Sequence, residues 1–392
     1  METLRILVVD DSTLYRKVIR DSLNELPNVE VVGIANNGRD ALERIRQHRP
    51  DLVTLDVEMP QMTGIEVLER LRDMDHDSGV IMLSSLTSRG AVATTKALSL
   101  GAFDFVLKPE GKTLDESVET LKTSLLPRVK AFAASRRRSI PHRTPTATSP
   151  SKPSAPAPYV APRTTSAKDE LFGRTSQPET GNSLFFSPTI PPNPNVRPEV
   201  VAIGVSTGGP AALMEVIPKF PAGLRAPIFV VQHMPPVFTR SLAEALDAKS
   251  RVTVVEAAHG MKVVPGQIYI APGGHQMKIV KNGVQAEIEI NDDPPENSSR
   301  PSVDYMFRSV CKAYGSRVLG VVMTGMGADG VNGCRDIKRN GGSVVTQDEN
   351  SCVVYGMPRA VYEAGLSDAV CELKNIPNRI VDTLAGVTRT CI

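Results

Sequence analysis

The chain has 392 residues, too many for one ordinary domain and enough for two substantial cores, so its work is expected to be divided between parts. A formal net charge of +2 at pH 7 offers no basic stripe to draw it onto nucleic acid or an anionic membrane; no apolar stretch approaches bilayer length, and METLRILVVDDS is unlike a signal sequence. The five cysteines (Cys311, Cys334, Cys352, Cys371, Cys391) have neither the C-x-x-C spacing of zinc sites nor the density of a disulfide framework, which fits a reducing cytoplasm.

In chain order, the apolar segments LRILVV, VEVVGIA, DLVTLDV, GVIMLSS and AFDFVLK alternate with helical stretches near 12–26, 38–48, 64–72, 89–100 and 114–132. Five βα units predict a doubly wound parallel sheet with helices on both faces, within residues 1–130. With strand order 2-1-3-4-5, Asp10 and Asp11 follow the first strand and Asp56 ends the third, so the three carboxylates meet at the carboxyl edge. Carboxylates so placed call for a hard divalent cation such as Mg²⁺, which takes oxygen ligands and can also bind a phosphoryl group. Ser84 ends the fourth strand and Lys108 the fifth, placing a hydroxyl and an ammonium beside the same edge. Singly, each aspartate reads as a strand-end turn residue; their joint occurrence at successive strand ends argues for a site.

The strings VVDDS, TLDVEMPQMTG, SSLT and FVLKP together resemble the receiver domain of two-component response regulators, over about residues 1–125. The resemblance implies that Asp56 accepts phosphate from a histidine-kinase phosphodonor. It also implies that Asp10, Asp11, Asp56 and the backbone carbonyl of Glu58 hold Mg²⁺, and that Ser84 and Lys108 sense the phosphoryl group. Phe105 takes the place of the family's switch aromatic, and the Lys108–Pro109 bond is expected to be cis.

Residues 131–197 change character: RRRSIPHRTPTATSPSKPSAPAP and NSLFFSPTIPPNPNVRP are rich in Pro, Ser and Thr without apolar periodicity, and read as a linker. As flexible coil, roughly 65 residues would span about 45 Å root-mean-square. The arginine run at 136–138 reads as a solvated charge cluster, and Leu184, Phe185 and Phe186 as an apolar segment able to dock on a domain.

The remainder, 198–392, again alternates strands (EVVAIGV, APIFVVQH, RVTVVEA, QIYIAP, SRVLGVVMTG, GSVVTQ) with helical stretches. The alternating run HQMKIVKNGVQAEIEI is interrupted by Asn282-Gly283, a hairpin signal, so a mainly parallel doubly wound sheet with an antiparallel hairpin at its edge is expected.

In VVAIGVSTGGP an apolar strand delivers Ser206 into a glycine loop. A serine nucleophile needs a base, a group that orients the base, and donors for the oxyanion. His233 stands just past the strand of APIFVVQHMPP, and Asp329 lies in the glycine loop that ends RVLGVVMTGMGADG, both at the carboxyl edge. His259 and His275 read as turn residues or substrate contacts, and Asp304 and Asp336 as caps or surface groups. The segment 204–208 matches the G-x-S-x-G elbow of α/β-hydrolases, but that fold requires Ser, then Asp or Glu, then His in chain order, and the only aspartate between Ser206 and the last histidine, Asp247, sits in a helical stretch. The segment 325–330 is a literal G-x-G-x-x-G with Asp348 beyond it, a dinucleotide fingerprint that leaves Ser206 and His233 without work.

IGVSTGGP, VVQHMP, IYIAPGGHQM, RPSVDYMF and MTGMGADG together resemble the catalytic domain of chemotaxis protein-glutamate methylesterases, the CheB family, from about 198 to 385. That resemblance implies Ser206 as nucleophile, His233 as base and Asp329 as its partner, with the backbone N–H of Met326 and Thr207 as oxyanion donors. It further implies hydrolysis of glutamate methyl esters, and deamidation of specific glutamines, on methyl-accepting chemotaxis receptors, with no cofactor for the esterase. A cytoplasmic location without membrane insertion, and gating of the Ser206 cleft by the receiver, are expected.

Overall fold

The computed structural model describes residues 3–74, 77–109, 113–139 and 196–387. Of the expected linker, 131–197, residues 140–195, with Leu184, Phe185 and Phe186, lie outside the described residues.

The N-terminal part runs β1 (Leu4–Val9), α1 (Thr13–Leu23), β2 (Val29–Ala35), α2 (Gly38–His48), β3 (Leu52–Asp56), α3 (Gly64–Arg72), β4 (Gly79–Ser84), α4 (Ser88–Ser99), β5 (Asp104–Leu107) and α5 (Leu114–Ser139). Its sheet has the order β2-β1-β3-β4-β5, every pair parallel. All of β3 is buried, as a strand covered by helices on both faces must be. Side chains of Ser12, Asn37, Thr63 and Thr87 cap the first four helices, Thr63 through a capping box with Glu66. Helix α5 continues past residue 130 to Ser139, and Arg136, though exposed to solvent, is ion-paired with Asp51. The Lys108–Pro109 bond is trans: among the described residues only Arg300–Pro301 is cis. The trans form is intrinsically favoured by about 0.5–1 kcal/mol, and Tyr15 Oη donates to the Pro109 carbonyl in that arrangement.

The C-terminal part comprises β6 (Val200–Val205), α6 (Gly209–Val216), β7 (Ile228–Gln232), α7 (Phe238–Asp247), β8 (Val254–Glu256), β9 (Met261–Lys262) and β10 (Ile268–Ile270). It continues through β11 (Gln276–Asn282), β12 (Gln285–Asn291), α8 (Val303–Tyr314), β13 (Val318–Val322) and α9 (Val331–Arg339). The chain then closes with β14 (Ser343–Gln347), α10 (Met357–Glu363), β15 (Ala369–Cys371) and α11 (Ile376–Ala385). Seven strands form a parallel sheet ordered β15-β14-β13-β6-β7-β10-β8. The chain leaves the central β6 in one direction and returns to fill the other side from β13, so the strand order reverses between β6 and β13. Ligand crevices of such sheets open at that reversal, beyond the carboxyl ends.

The hairpin β11–β12 does not edge this sheet. It joins β9 in an antiparallel sheet of its own. Met277, Ile279, Ala286 and Ile288 alternate along it, and they are buried in the same cluster as Phe307 and Val310 of α8, so the hairpin lies against a helix. Its turn falls on Gly283-Val284, one residue later than Asn282-Gly283 suggests, with Gly283 at φ 65°.

Candidate active site

Strand β6 is buried at every position, and Gly204 within it is required sterically: a Cβ there would lie 2.3 Å from Val303 Cγ1 at the start of α8. The chain then turns into α6 through Gly208, whose φ of 75° favours glycine, and Gly209, where a Cβ would lie 1.9 Å from Gln232 Oε1. Ser206 thus stands between strand and helix at the reversal point, its N–H bonded to the Thr324 carbonyl beyond β13 (3.0 Å). His233 is placed from the other side. Its N–H donates to the Val205 carbonyl (3.2 Å), and Gln232 Nε2 donates to the carbonyls of both Ser206 (3.0 Å) and His233 (3.2 Å), tying the two loops together.

His233 Nε2 lies 2.8 Å from Asp329 Oδ2. The same carboxylate occupies the N-terminus of α8. Its Oδ2 accepts from Val303 N (2.7 Å), and its Oδ1 from Ser302 Oγ (2.9 Å), Asp304 N (3.0 Å) and Asn297 Nδ2 (2.8 Å). Burial works against the charge on Asp329, but the hydrogen bond and charge of His233 and the N–H groups of Asp304 and Val303 outweigh it. The carboxyl stays below its ordinary range. An acceptor-only carboxylate on Nε2 fixes the proton there and leaves Nδ1 as the imidazole's free lone pair. Among the described residues Ser206 Oγ makes no hydrogen bond to His233.

The loop after β13 closes over Ser206. A Cβ on Gly325 would meet Met357 Sδ at 2.4 Å and Ser206 Cβ at 2.9 Å, and Gly325 N bonds the Val354 carbonyl (3.0 Å). Thr324 Oγ1 donates to the Thr207 carbonyl (2.9 Å) and accepts from Val354 N (3.0 Å). Among the described residues neither the Met326 nor the Thr207 N–H has an acceptor, and the Met326 side chain is exposed. The glycines at 325, 327 and 330 shape this loop; Asp348 turns away from it to bond Ser351. His259 bonds the Ile290 carbonyl and His275 bonds Asp292, while Asp247 caps Val254 N. Asp336 lies on α9, but Asp304 is no surface group: it is 1 % exposed and accepts from Gly333 N (2.7 Å) and Asn297 Nδ2 (2.9 Å). Gln232, Asn297, Ser302 and Thr324 were not candidates from sequence; only Ser302, a helix-cap residue type ahead of VDYMF, carries a local signal.

In the N-terminal sheet, ligand atoms of Asp10, Asp11 and Asp56 all lie within 4.8 Å of one another at the equivalent reversal, between β1 and β3. Lys108 Nζ bridges Asp10 (2.9 Å) and Asp56 (2.7 Å), and Glu58 N donates to Asp56 Oδ1 (3.3 Å). Burial and then the charge of Asp10 push Asp56 up to about 6, against the pull of Lys108. An all-oxygen acidic donor set of this kind fits Mg²⁺. Ser84 is fully buried, its Oγ 3.3 Å from the Ser85 carbonyl.

Two family models match the chain: response regulator receiver domain over residues 6–119 and CheB methylesterase over 201–380. A protein-glutamate methylesterase/protein-glutamine glutaminase of Desulfotalea psychrophila is 48% identical, covering 98% of this chain and 99% of the relative. One of the same description from Trichodesmium erythraeum is 42% identical over 97% and 99%. The crystal structure of the Thermotoga maritima CheB methylesterase catalytic domain is 41% identical, covering 48% of this chain and 99% of that one, with a TM-score of 0.47. Among the described residues no helix is long and apolar enough to cross a membrane.

Proposed function

Since this chain belongs to the CheB methylesterase family and carries a response-regulator receiver ahead of the catalytic part, we propose that it removes methyl groups from glutamate side chains of methyl-accepting chemotaxis receptors in the cytoplasm, using Ser206, His233 and Asp329. It is a carboxylic ester hydrolase with glutamine deamidation as its second activity. The observation that carries the residue assignment is the His233–Asp329 contact at 2.8 Å, set at the strand-order reversal beside Ser206.

The chemistry follows from the tautomer. Nδ1 of His233 takes the Ser206 Oγ proton as Oγ attacks the ester carbonyl carbon, and the imidazolium is stabilised by Asp329. The tetrahedral oxyanion is received by the N–H groups of Met326 and Thr207, held by the ties of Thr324 and Gly325. The C–O bond to methoxy breaks as His233 returns the proton, and methanol departs. Water then gives a proton to His233 and attacks the acyl-Ser206 carbonyl. The Ser206 Oγ–acyl bond breaks, Oγ recovers the proton, and the glutamate carboxylate is released. With a glutamine substrate the first leaving group is ammonia.

Asp56 is the phosphoryl acceptor, from a histidine-kinase phosphodonor, with Asp10, Asp11 and the Glu58 carbonyl completing the oxygen donors for Mg²⁺. When bound, the ion neutralises charge on the incoming phosphoryl oxygens. Lys108 and Ser84 receive the phosphoryl group, and loss of the Lys108–Asp56 contact releases the receiver from the Ser206 cleft. The test is methanol release from methylated receptor membranes: wild type with a small-molecule phosphodonor is active, and Ser206→Ala is not. A folded Ser206→Ala variant with near-wild-type release would remove Ser206 from the mechanism.

A further inference from the structure

Asp329 is one of two buried carboxylates at the start of α8, and a single side chain joins them. Asn297 Nδ2 lies 2.8 Å from Asp329 Oδ1 and 2.9 Å from Asp304 Oδ2. Both carboxylates are nearly inaccessible, at 3 % and 1 % exposure, whereas Asn297 comes from an exposed loop and reaches inward to meet them. The loop is built for this. Glu296 and Ser299 pair through both backbone hydrogen bonds (3.2 and 2.9 Å), enclosing Asn297 and Ser298 at φ 50° and 60°. Two successive positive φ values define a type I′ turn, in which Asn is among the few residues accommodated without strain.

Two like charges so close would favour sharing a proton, or would turn the Asp329 carboxylate away from His233. A donor placed between them offsets this, and occupying Oδ1 leaves Oδ2 for the imidazole. We propose that Asn297 is a positioning residue of the esterase: its amide bridges Asp329 and Asp304, holding the Asp329 carboxylate ionised and aimed at His233. The inference rests on the reading of Ser206, His233 and Asp329 as the catalytic groups.

The groups facing this cluster are His233 from the loop after β7, Asp304 and Arg308 from α8, Glu296 (ion-paired with Arg308) from the turn, and the buried Cys334 thiol of α9, which stays protonated. With the amide removed, Asp329 loses a donor and feels Asp304 more strongly, so its charge is partly neutralised or swung away from His233 and the imidazolium loses stabilisation. The acid limb of the kcat/KM profile, which reports deprotonation of the base in the free enzyme, then moves to lower pH.

The experiment uses the full chain with a phosphodonor and methylated receptor membranes, and compares wild type, Asn297→Gly, Asn297→Asp and Ser206→Ala across pH. Glycine keeps the positive φ and deletes only the side chain; aspartate tolerates the same backbone and replaces the donor by a third carboxylate. Asn297→Gly is expected to lower kcat about ten- to hundred-fold, the scale of one hydrogen bond to a charged group, with KM within about two-fold. Its acid limb moves down in pH, and Asn297→Asp, whose added carboxylate repels Asp329 instead of donating to it, loses at least as much kcat. Unchanged kcat and an unmoved acid limb in either folded variant would overturn the proposal, since a merely structural role lowers the unfolding temperature without moving the limb. Activity in folded Ser206→Ala would instead overturn the underlying triad reading.

Discussion

Phe105, in the last strand of the receiver sheet, stacks on Phe238, the first residue of the helix that follows the His233 loop, with ring centroids 4.9 Å apart and an interplanar angle of 11°. Both rings are buried, and each part supplies one of them. An aromatic pair contributes about 0.5–1.5 kcal/mol beyond its buried area, so Phe105→Ala should raise the methanol-release rate of the unphosphorylated chain about two- to ten-fold. The phosphodonor-stimulated rate should change less. An unaltered basal rate would show that this contact does not hold the receiver in place.

The triad reading predicts graded losses. Ser206→Ala or His233→Ala should reduce turnover by about 10⁶-fold, and Asp329→Asn by about 10⁴-fold, because the imidazole retains some function without its partner. Circular dichroism on the same samples separates chemical loss from unfolding. Equal losses at Ser206 and at the exposed His275 would contradict the assignment.

Gly204→Ala tests how tightly β6 abuts α8. The new methyl would lie 2.3 Å from Val303 Cγ1, so overpacking should destabilise by about 1–3 kcal/mol. The strain falls on the residue whose N–H holds Asp329 Oδ2, so kcat should drop as well. The double variant Gly204→Ala/Val303→Ala makes room for the methyl and should recover part of both. No recovery would mean that the clash is relieved elsewhere.

Asp56 gives a pH dependence of known sign. Its folded-state pKa, raised to about 6 from an unfolded value near 3.8, means that the folded chain binds the extra proton, so stability falls as pH rises between those values. In chelator, Asp56→Asn should therefore melt higher than wild type above about pH 6, with the advantage fading toward pH 4. Chelator should also abolish the response of wild type to a phosphodonor. A melting difference that ignores pH would show that Asp56 ionises freely.

Strand ends are easy to see in a sequence because an apolar run stops at a polar residue, and the carboxyl-edge rule then gathers those ends in space. That is why Asp10, Asp56, Lys108, Ser206, His233 and Asp329 can all be picked out before any coordinates. Gln232 ends its strand in the same way but is overshadowed by His233 beside it, and its role is a tie between two backbones, which leaves no spacing signature. Asn297 is invisible for a related reason: it sits in a polar loop, and its partners come from α8 and the loop after β13. The separate sheet of β9, β11 and β12 depends on which apolar face α8 covers, and alternation alone cannot say that. The three-residue β15 is too short to show a period at all.

One carboxylate does two jobs at the start of α8, and this bears on any attempt to make an intact but inert enzyme. Asp329 lies against His233 and also satisfies the first backbone N–H groups of a helix, so on the proposed triad replacing it would disturb the core along with the chemistry. Ser206 carries no such second duty through its side chain. If the proposed triad holds, a protein meant to bind its substrate and remain there, for trapping or for imaging, is better disarmed at Ser206 than at Asp329.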